Sequence, residues 1–245
     1  MTLRIGIAGI TGRMGRMLVE AVASAGADLV GGTRRGEALG PLAAGSDVVI
    51  DFTRADAVQA HATVLAEAGT AWVLGTSGLS AADEAAVAEA ATRVAVVYAA
   101  NFSPGVTLVL ALAERMAAVL PAAQYDAEIV EMHHRQKVDA PSGTAIGLGR
   151  AVAAGRGVVL ADVMQSGRDG HTGPRETGTI GFATMRGGQV VGEHSLLFAG
   201  ADEHIILSHR AFDRTTFATG AVRAAAWAAD RPPGLYSMRE VLGLD

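Results

Sequence analysis

The sequence predicts an α/β protein with an N-terminal Rossmann-type, doubly wound parallel sheet and a second α+β domain with an open mixed sheet. In residues 1–104, short continuous apolar strands alternate with helical segments, which is typical of a parallel sheet covered by helices on both faces. In residues 105–213, the later strands follow one another through glycine turns, which indicates antiparallel pairing. We expect the final segment, residues 214–245, to complete the first domain.

The composition limits the classes of function. The chain has 245 residues, 50% of them hydrophobic, which excludes a disordered protein. A formal charge of −5 argues against a nucleic-acid or anionic-membrane surface. The absence of cysteine excludes disulfides, thiol nucleophiles and iron–sulfur clusters, so chemistry falls to histidine, lysine, carboxylates or a cofactor. No apolar run reaches the roughly 18 residues of a membrane span and no export signal precedes the first strand, so we expect a cytoplasmic protein.

The first strand leads into a glycine turn. Leu3 to Ala8 is a short apolar strand, and GITGRMG at residues 9–15 precedes an amphipathic helix. Gly9 allows a tight turn, Gly12 lets a pyrophosphate approach the backbone, and Gly15 permits close packing of the helix on the strand. The spacing is GxxGxxG rather than GxGxxG, and the alternative is a turn without a ligand. The cofactor-binding residues predicted here are Gly9, Ile10, Thr11, Gly12, Arg13 and Met14.

The second strand, Asp28 to Gly32, ends where dinucleotide enzymes place an acid for the ribose hydroxyls. This sequence continues with Thr33, Arg34 and Arg35 instead. Two guanidiniums suit bidentate contacts to a 2′-phosphate, so Arg34 and Arg35 favour NADPH over NADH. The alternative is a pair of solvated loop arginines.

Three further apolar strands each end in small or polar residues. Their loops should meet at the carboxyl edge of the parallel sheet, where ligands bind. Direct contact of Asp51 and Thr53 with the cofactor stays open. For the later two loops, the alternative on physical grounds alone is a turn of small residues without a ligand. The strands are Asp47 to Ile50, Ala71 to Leu74 and Val94 to Tyr98, with helices at Ala55 to Ala68 and Ser80 to Ala91.

The pattern changes at residues 103–105, where we expect a hinge into the second domain. A helix at Val106 to Leu120 and a central strand ending at the histidines come first. A β-meander of antiparallel strands follows, and its apolar face needs a partner. A helix at Thr215 to Ala229 then returns to the first domain. The strands of the predicted meander are Thr179 to Met185, Gln189 to Phe198 and His204 to His209.

Reactive side chains are densest in residues 128–145. Alternation predicts a strand that places Glu131 and His133 on one face and His134 on the other. Because the two histidines diverge and the chain lacks cysteine, we expect no metal site.

A capped helix should follow this strand. After a polar loop and Pro141, Ser142 is a good N-cap for a helix beginning near Thr144. Free backbone N–H groups of Ser142, Gly143 and Thr144 would form an anion site suited to a carboxylate, with Lys137 beside it. The alternative is a strand end with solvated charges and an ordinary capped helix.

The segment HHRQKVDAPSGTA, residues 133–145, resembles the signature of the bacterial and plant dihydrodipicolinate reductases, and residues 9–15 and 170–182 resemble further motifs of that family. The resemblance covers essentially the whole chain. It implies reduction of the cyclic imine derived from 4-hydroxy-tetrahydrodipicolinate to tetrahydrodipicolinate, with loss of water, in diaminopimelate and lysine biosynthesis. It also implies a dicarboxylate substrate and a homotetramer formed through the sheet of a substrate-binding and oligomerisation domain. Many members of the family carry an acid followed by an arginine and use both NADPH and NADH. Arg34 stands at the place of that acid, so we expect NADPH as the preferred cofactor with NADH as the alternative.

The resemblance carries residue roles with it. His133 is the expected general acid, since an imidazole with an unperturbed pKa of about 6.5 exchanges protons at neutral pH. Lys137 is expected to anchor the substrate or to donate a proton, and His134 and the backbone of Gly143 and Thr144 are expected to bind it. The residues implied at the nicotinamide half of the cofactor are Gly75, Thr76, Ser77, Ala99, Ala100, Asn101 and Phe102.

Three further side chains and two other functions stay open at this point. His171 and Arg175 either close over the substrate or only order their loop, and Arg214 either contacts a substrate carboxylate or links the domains. The other functions are a different nicotinamide enzyme, such as an amino-acid dehydrogenase acting on aspartate, and a nucleotide-binding sensor without turnover.

Overall fold

The computed structural model describes residues 2–244, which form two compact units. The first unit contains the chain up to Pro104 and again from Arg214 onward, and the second contains Gly105–Asp213. Within residues 2–244, no helix is both long and apolar enough to cross a membrane.

The elements follow one another in three runs. The first run is β1 (Arg4–Ala8), α1 (Arg13–Ser24), β2 (Asp28–Thr33), α2 (Gly40–Gly45), β3 (Val48–Asp51), α3 (Ala55–Ala68), β4 (Ala71–Leu74), α4 (Ala81–Ala90) and β5 (Ala95–Tyr98). The second is α5 (Pro104–Val119), β6 (Asp126–His133), α6 (Gly143–Gly155), α7 (Leu160–Val163), β7 (Met164–Ser166), β8 (Ile180–Arg186), β9 (Gly192–Ala199) and β10 (His204–Ala211). The third is α8 (Thr215–Ala228), β11 (Gly234–Tyr236) and α9 (Met238–Leu242).

The first unit is built on a six-stranded parallel sheet in the order β11-β5-β4-β3-β1-β2. The chain runs from β1 to β2 on one side and then crosses to β3 on the other, so the sheet has a switch point between β1 and β3. The predicted doubly wound sheet is confirmed. The edge strand β11 was not predicted, because a three-residue strand directly after Pro232-Pro233 has the composition of a turn.

Two apolar layers hold this sheet. On one face Ile5, Ile7 and Ile50 pack with α1 and α8, and on the other Trp72 and Leu74 pack with α2, α3 and α4. All five of these side chains are fully buried. Strands covered on both faces read as continuous apolar runs, which is why the sequence predicted them well.

The second unit contains a five-stranded mixed sheet in the order β10-β9-β6-β8-β7, which confirms the predicted sheet type. The predicted meander is wrong in its strand order, because β8 and β9 do not pair with each other. β6 lies between them, parallel to β8 and antiparallel to β9. The connection from β8 to β9 crosses the end of β6, where Gly187 N donates to His133 O at 3.0 Å and His134 N donates to Val190 O at 2.7 Å. This loop therefore holds the backbone of both histidines.

The two faces of the second sheet differ. Ile129, Leu196 and Phe198 face the helices α5 and α6 and are buried. Apolar side chains elsewhere on the sheet are left at the surface of the chain, with exposed fractions of 48% for Met185 and 60% for Ile206. A face of this kind is typical of a sheet that packs against another molecule.

Candidate active site

A cleft of about 550 Å³ lies at the carboxyl ends of β1, β2 and β3 in the first unit. Gly9, Thr11 and Gly12 line it from the glycine turn, and Arg34 and Arg35 line it from the end of β2. This is the switch point of the sheet, where open α/β folds bind their ligands.

The glycine turn divides its backbone amides into two sets. Gly9 N and Ile10 N both donate to Thr33 O at 3.0 Å, and Gly12 N donates to Gly9 O at 2.9 Å, so these amides shape the turn. The first-turn amides of α1, at Arg13 and Met14, have no carbonyl acceptor within a helix and point toward the N-terminal end. They are the donors suited to a pyrophosphate.

Two of the glycines are required by geometry. Gly9 has a φ of +78°, a conformation that favours glycine. A Cβ on Gly15 would lie 2.4 Å from Gly9 O, so only glycine lets α1 approach the turn this closely. Both features agree with the roles expected of the motif.

The charges of the cleft are largely unpaired. Arg34 and Arg35 are exposed, and neither forms an ion pair within residues 2–244. Arg54, in contrast, is paired with Asp56 at 3.0 Å. Glu37, which was not predicted as a site residue, also lines the cleft and accepts a hydrogen bond from Arg34 N at 2.8 Å. The only signal for Glu37 was its position shortly after the second strand.

Asp51 holds two residues that line the cleft, Thr53 and His61. Its fully buried carboxylate accepts hydrogen bonds from Thr53 N at 2.9 Å, from Thr53 Oγ1 at 2.6 Å and from His61 Nδ1 at 2.7 Å. A carboxylate with three donors and no exposure has no face left for a ligand. Thr53 and His61 line the cleft in its place, and His61 was not singled out from the sequence.

The loops after β4 and β5 also lie at the carboxyl edge of the sheet. Gly75 is packed under the Phe52 ring, since a Cβ there would lie 2.2 Å from that ring. Phe102 is 1% exposed and its ring contacts Phe52 edge-on with centroids 5.4 Å apart, so its side chain belongs to the core. Thr76 is buried, whereas Ser77 and Ala100 are exposed.

His133 stands at the end of β6 in the second unit. Its Nδ1 is 2.6 Å from Glu131 Oε2, and its ring meets that of His194 edge-on with centroids 5.0 Å apart. Burial lowers the pKa of His133, and the contact with Glu131 opposes this lowering only in part. Burial, together with a smaller effect of His133, lowers the pKa of His194 to about 4.

Glu131 is the centre of this site and was not predicted as a site residue. Its side chain is 1% exposed and accepts hydrogen bonds from four residues. Burial alone would raise the pKa of Glu131, but the hydrogen bonds from Arg186, His133 and Ser142 lower it overall. The donors are His133 Nδ1 (2.6 Å), Arg186 Nη1 and Nη2 (2.8 and 2.9 Å), Ser142 N (3.1 Å) and Thr184 Oγ1 (3.2 Å).

The structure corrects one part of the expected anion site. Ser142 does cap α6, since its Oγ accepts a hydrogen bond from Ala145 N at 3.2 Å. However, Ser142 N is not free, because it donates to Glu131 at 3.1 Å in a buried contact. Gly143 is exposed with open space beside its Cα, so the first residue of α6 lies at the surface.

The remaining predicted substrate residues lie near this helix end. Lys137 Nζ contacts both carboxylate oxygens of Asp139 at 2.8 Å, and its side chain is 20% exposed. The Nδ1 atom of His134 is buried and has no hydrogen-bond partner within residues 2–244. His134 can therefore accept a further polar partner, and Lys137 is a cation that a second carboxylate can also contact.

Arg175 orders its loop. It is paired with Asp126 at 2.7 Å and Glu128 at 2.8 Å and donates to the carbonyl oxygens of Ala127 and Thr179. His171 is exposed. Arg214 stands at the N-cap of α8 without a side-chain capping bond.

The parallel sheet with its switch point, the glycine turn and the cleft define a Rossmann-type nicotinamide-dependent oxidoreductase. The matches to known families identify it further: residues 3–102 match "Dihydrodipicolinate reductase, N-terminus" and residues 105–242 match "Dihydrodipicolinate reductase, C-terminus". The chain belongs to the dihydrodipicolinate reductase family.

Full-length relatives carry a single name. The 4-hydroxy-tetrahydrodipicolinate reductase of Granulibacter bethesdensis is 64% identical over 99% of this chain and 98% of the relative. That of Acidiphilium cryptum is 64% identical over the same shares of the two chains. That of Halorhodospira halophila is 48% identical over 100% of both.

Solved structures support the fold. The dipicolinate-bound dihydrodipicolinate reductase from Paenisporosarcina sp. TG-14 has a TM-score of 0.77 at 24% identity, covering 98% of this chain and 99% of that one. The DAP dehydrogenase of C. glutamicum in complex with DAP has a TM-score of 0.57 at 14% identity, covering 98% and 94%.

Proposed function

We propose that the protein reduces the cyclic imine derived from 4-hydroxy-tetrahydrodipicolinate to tetrahydrodipicolinate, with loss of water, in diaminopimelate and lysine biosynthesis. The observation that carries this proposal is 64% identity over essentially the whole chain to relatives with the corresponding name. When bound, the nicotinamide supplies the hydride. The protein supplies binding, charge and a proton.

His133 is the proposed proton donor. Hydride addition to a conjugated imine leaves electron density that must be protonated, and a histidine is suited to this near neutral pH. Nδ1 of His133 is engaged by Glu131, so Nε2 is the atom left to deliver the proton. Burial lowers the pKa of His133, which makes its protonated form a stronger acid than an exposed imidazolium.

The proposed substrate is a dicarboxylate, and the related reductase from Paenisporosarcina sp. TG-14 is bound to one, dipicolinate. Lys137 offers a cation, and the exposed Gly143 offers a backbone amide at the positive end of α6, with Thr144 as the next residue of the proposed site. His134 is the proposed third partner, because its buried Nδ1 has no partner within residues 2–244.

NADPH is the proposed preferred cofactor, with NADH as the alternative. Arg34 and Arg35 are exposed in the cleft of the first unit without an ion pair of their own within residues 2–244, which suits them to a 2′-phosphate. Glu37 also lines that cleft, three positions after Arg34, and its carboxylate is suited to ribose hydroxyls, so it supports some use of NADH. The first unit is thus the proposed dinucleotide-binding domain.

The second unit is the proposed substrate-binding and oligomerisation domain. Its exposed apolar sheet positions, including Met185 and Ile206, support a homotetramer assembled through this sheet. We expect the enzyme to act in the cytoplasm, as a member of a biosynthetic family. Light scattering on the purified protein measures the number of subunits directly.

The test is a coupled assay. A purified synthase generates the substrate from pyruvate and aspartate semialdehyde, and oxidation of NADPH, and separately NADH, is followed by absorbance. We expect rapid turnover that is lost when either reagent is omitted, and a higher kcat/KM for NADPH. Tight NADPH binding without turnover would overturn the proposal in favour of another imine or a sensing role.

A further inference from the structure

Two glutamates on β6 have similar arginine contacts but different surroundings. Glu128 lies on one face of the strand and is paired with Arg168 and Arg175. Glu131 lies on the opposite face, is 1% exposed, and contacts Arg186 through both carboxylate oxygens. Only Glu131 also contacts a histidine, at 2.6 Å. Burial of the Glu131 carboxylate carries a desolvation cost that the contact with Arg186 must first offset, so this ion pair is weak evidence for a role in stability, and the contact with His133 calls for a functional explanation.

We propose that Glu131 is the positioning residue of the active site, because it fixes the Nδ1–H tautomer of His133 and anchors the start of α6. The proposed function enters this inference only as the identity of the molecule that accepts the proton from His133. It concerns residues on β6, β8, β9 and α6 within the second unit.

The tautomer follows from the chemistry of the carboxylate. An ionised carboxylate only accepts hydrogen bonds, so the atom facing it, His133 Nδ1, must carry the proton. Arg186 stabilises the ionised form of Glu131 with a two-pronged contact at 2.8 and 2.9 Å. In neutral His133 the Nε2 atom therefore has the lone pair, and this atom gains and gives the transferable proton.

Space beside Nε2 is kept open by a glycine. A Cβ on Gly192 would lie 3.0 Å from His133 Nε2, so a side chain at that position would crowd the reacting atom. Nε2 has no hydrogen-bond partner within residues 2–244, and His133 keeps 8% of its surface exposed. The ring is thus held by one nitrogen and accessible at the other.

The same carboxylate also anchors the proposed carboxylate-binding end of α6. Glu131 Oε1 accepts from Ser142 N at 3.1 Å, which fixes the residue that caps the helix. Arg186 Nη2 donates to Asp139 O at 2.6 Å, which fixes the loop that carries Lys137. One buried ion pair therefore sets the position of the proton donor and of both substrate-binding elements.

The charges around His133 predict the direction of its titration. Glu131 on β6 favours the imidazolium, whereas Lys137 in the following loop and Arg186 on β8 oppose it. His194 on β9 faces the same ring, and burial lowers its pKa to about 4. Removing the charge of Glu131 should therefore lower the pKa of His133 further.

The first experiment reads the tautomer without turnover. In uniformly ¹⁵N-labelled wild-type protein, the ring nitrogen shifts of His133 should report Nδ1–H as the main neutral form, assigned by comparison with His133→Gln. In Glu131→Gln the Nε2–H form should become prominent, and the titration midpoint of His133 should fall by about one pH unit. A wild-type His133 in the Nε2–H form would overturn the proposal, even if the variant does not fold.

The second experiment uses the pH profile and a matched control. For Glu131→Gln, the basic limb of kcat should move down by about one pH unit, so that kcat above it falls about tenfold. Glu128→Gln removes the comparable glutamate from the opposite face of β6 and should leave the tautomer and the limb in place. Equal shifts in both variants, or none in Glu131→Gln, would contradict the positioning role. Should the wild type fail to turn over the proposed substrate, the nitrogen shifts still decide the tautomer.

Discussion

The two units handle charge in opposite ways. In the cleft of the first unit, Arg34 and Arg35 are exposed and lack ion pairs within residues 2–244. In the second unit, Glu131 and His133 are buried and hydrogen-bonded to each other. Exposed arginines gain most of their contacts when an anionic ligand arrives, whereas the desolvation cost of the buried group is met when the chain folds.

This difference separates cofactor binding from proton transfer. A flexible, water-exposed cation attracts a ligand and discriminates by charge, and its effect weakens with salt. A buried network holds a reacting group at a defined angle and tautomer before the substrate arrives, which is the condition for efficient proton transfer. Changes in the buried network should therefore affect kcat and folding, and changes to the exposed arginines of the first unit should affect cofactor KM.

The largest expected effect is that of His133→Gln. Removing the proton donor should lower kcat by about 10² to 10⁴-fold, while the KM for the substrate stays close to the wild-type value. Steady-state kinetics in the coupled assay measure both. His204→Gln, an exposed histidine of the same unit, serves as the control. An unchanged kcat in His133→Gln would remove it from the chemistry.

The next effect concerns stability and comes from His194. Its pKa is about 4 in the folded protein and about 6.5 when unfolded, so the unfolded chain binds more protons between these values. Stability should therefore fall as the pH drops from 6.5 to 4, by about 3 kcal/mol from this residue. His194→Gln should remove that part of the pH dependence in urea unfolding.

The control for this experiment is Ile129→Val, which removes one buried methylene from the core of the second unit and leaves every titratable group in place. It should lower the free energy of unfolding by about 0.5–1.5 kcal/mol at both pH values. Identical pH dependence in His194→Gln and the wild type would show that folding does not lower the pKa of His194.

A smaller effect is expected from Lys137→Ala. Loss of a charged hydrogen bond to a substrate carboxylate should cost about 1.5–3 kcal/mol, or about 10- to 100-fold in kcat/KM. Asp139→Asn removes the present partner of Lys137 and should not raise the KM for the substrate. Normal kinetics in Lys137→Ala would exclude it from the site.

The smallest effect belongs to the exposed cations. The double variant Arg34→Ala/Arg35→Ala should raise the KM for NADPH about tenfold at low salt and less at high salt, with little change for NADH. Arg54 lines the same cleft but is paired with Asp56, so Arg54→Ala should preserve the NADPH to NADH ratio. A double variant with an unchanged ratio would assign cofactor choice to other residues.

Features that depend only on neighbouring residues were predicted correctly from local sequence patterns. The glycine turn at residues 9–15, the buried parallel strands and the Ser142 cap were all predicted and are present. The alternation in β6 also placed Glu131 and His133 on one face correctly. These features depend on backbone conformation and on the period of a strand or helix, which a short segment specifies by itself.

Local sequence patterns did not predict the order of the strands in the second sheet. The strands β8 and β9 are consecutive and each has a clear signal, yet β6 lies between them. Alternating apolar residues specify which face of a strand is buried but not which strand lies beside it. The crossing loop, with Gly187 N bonded to His133 O, is stable only once β6 is in the centre.

The chain by itself thus specified an α/β unit, a second α+β unit, a dinucleotide turn and a reactive histidine at a strand end. The tertiary structure decided how that histidine is held. Arg186 lies 55 positions beyond Glu131, and His194 lies 52 positions beyond Ser142. No spacing rule links residues so far apart, because only the register of β8 and β9 against β6 brings Arg186 to the carboxylate of Glu131 and His194 to Ser142 and the ring of His133.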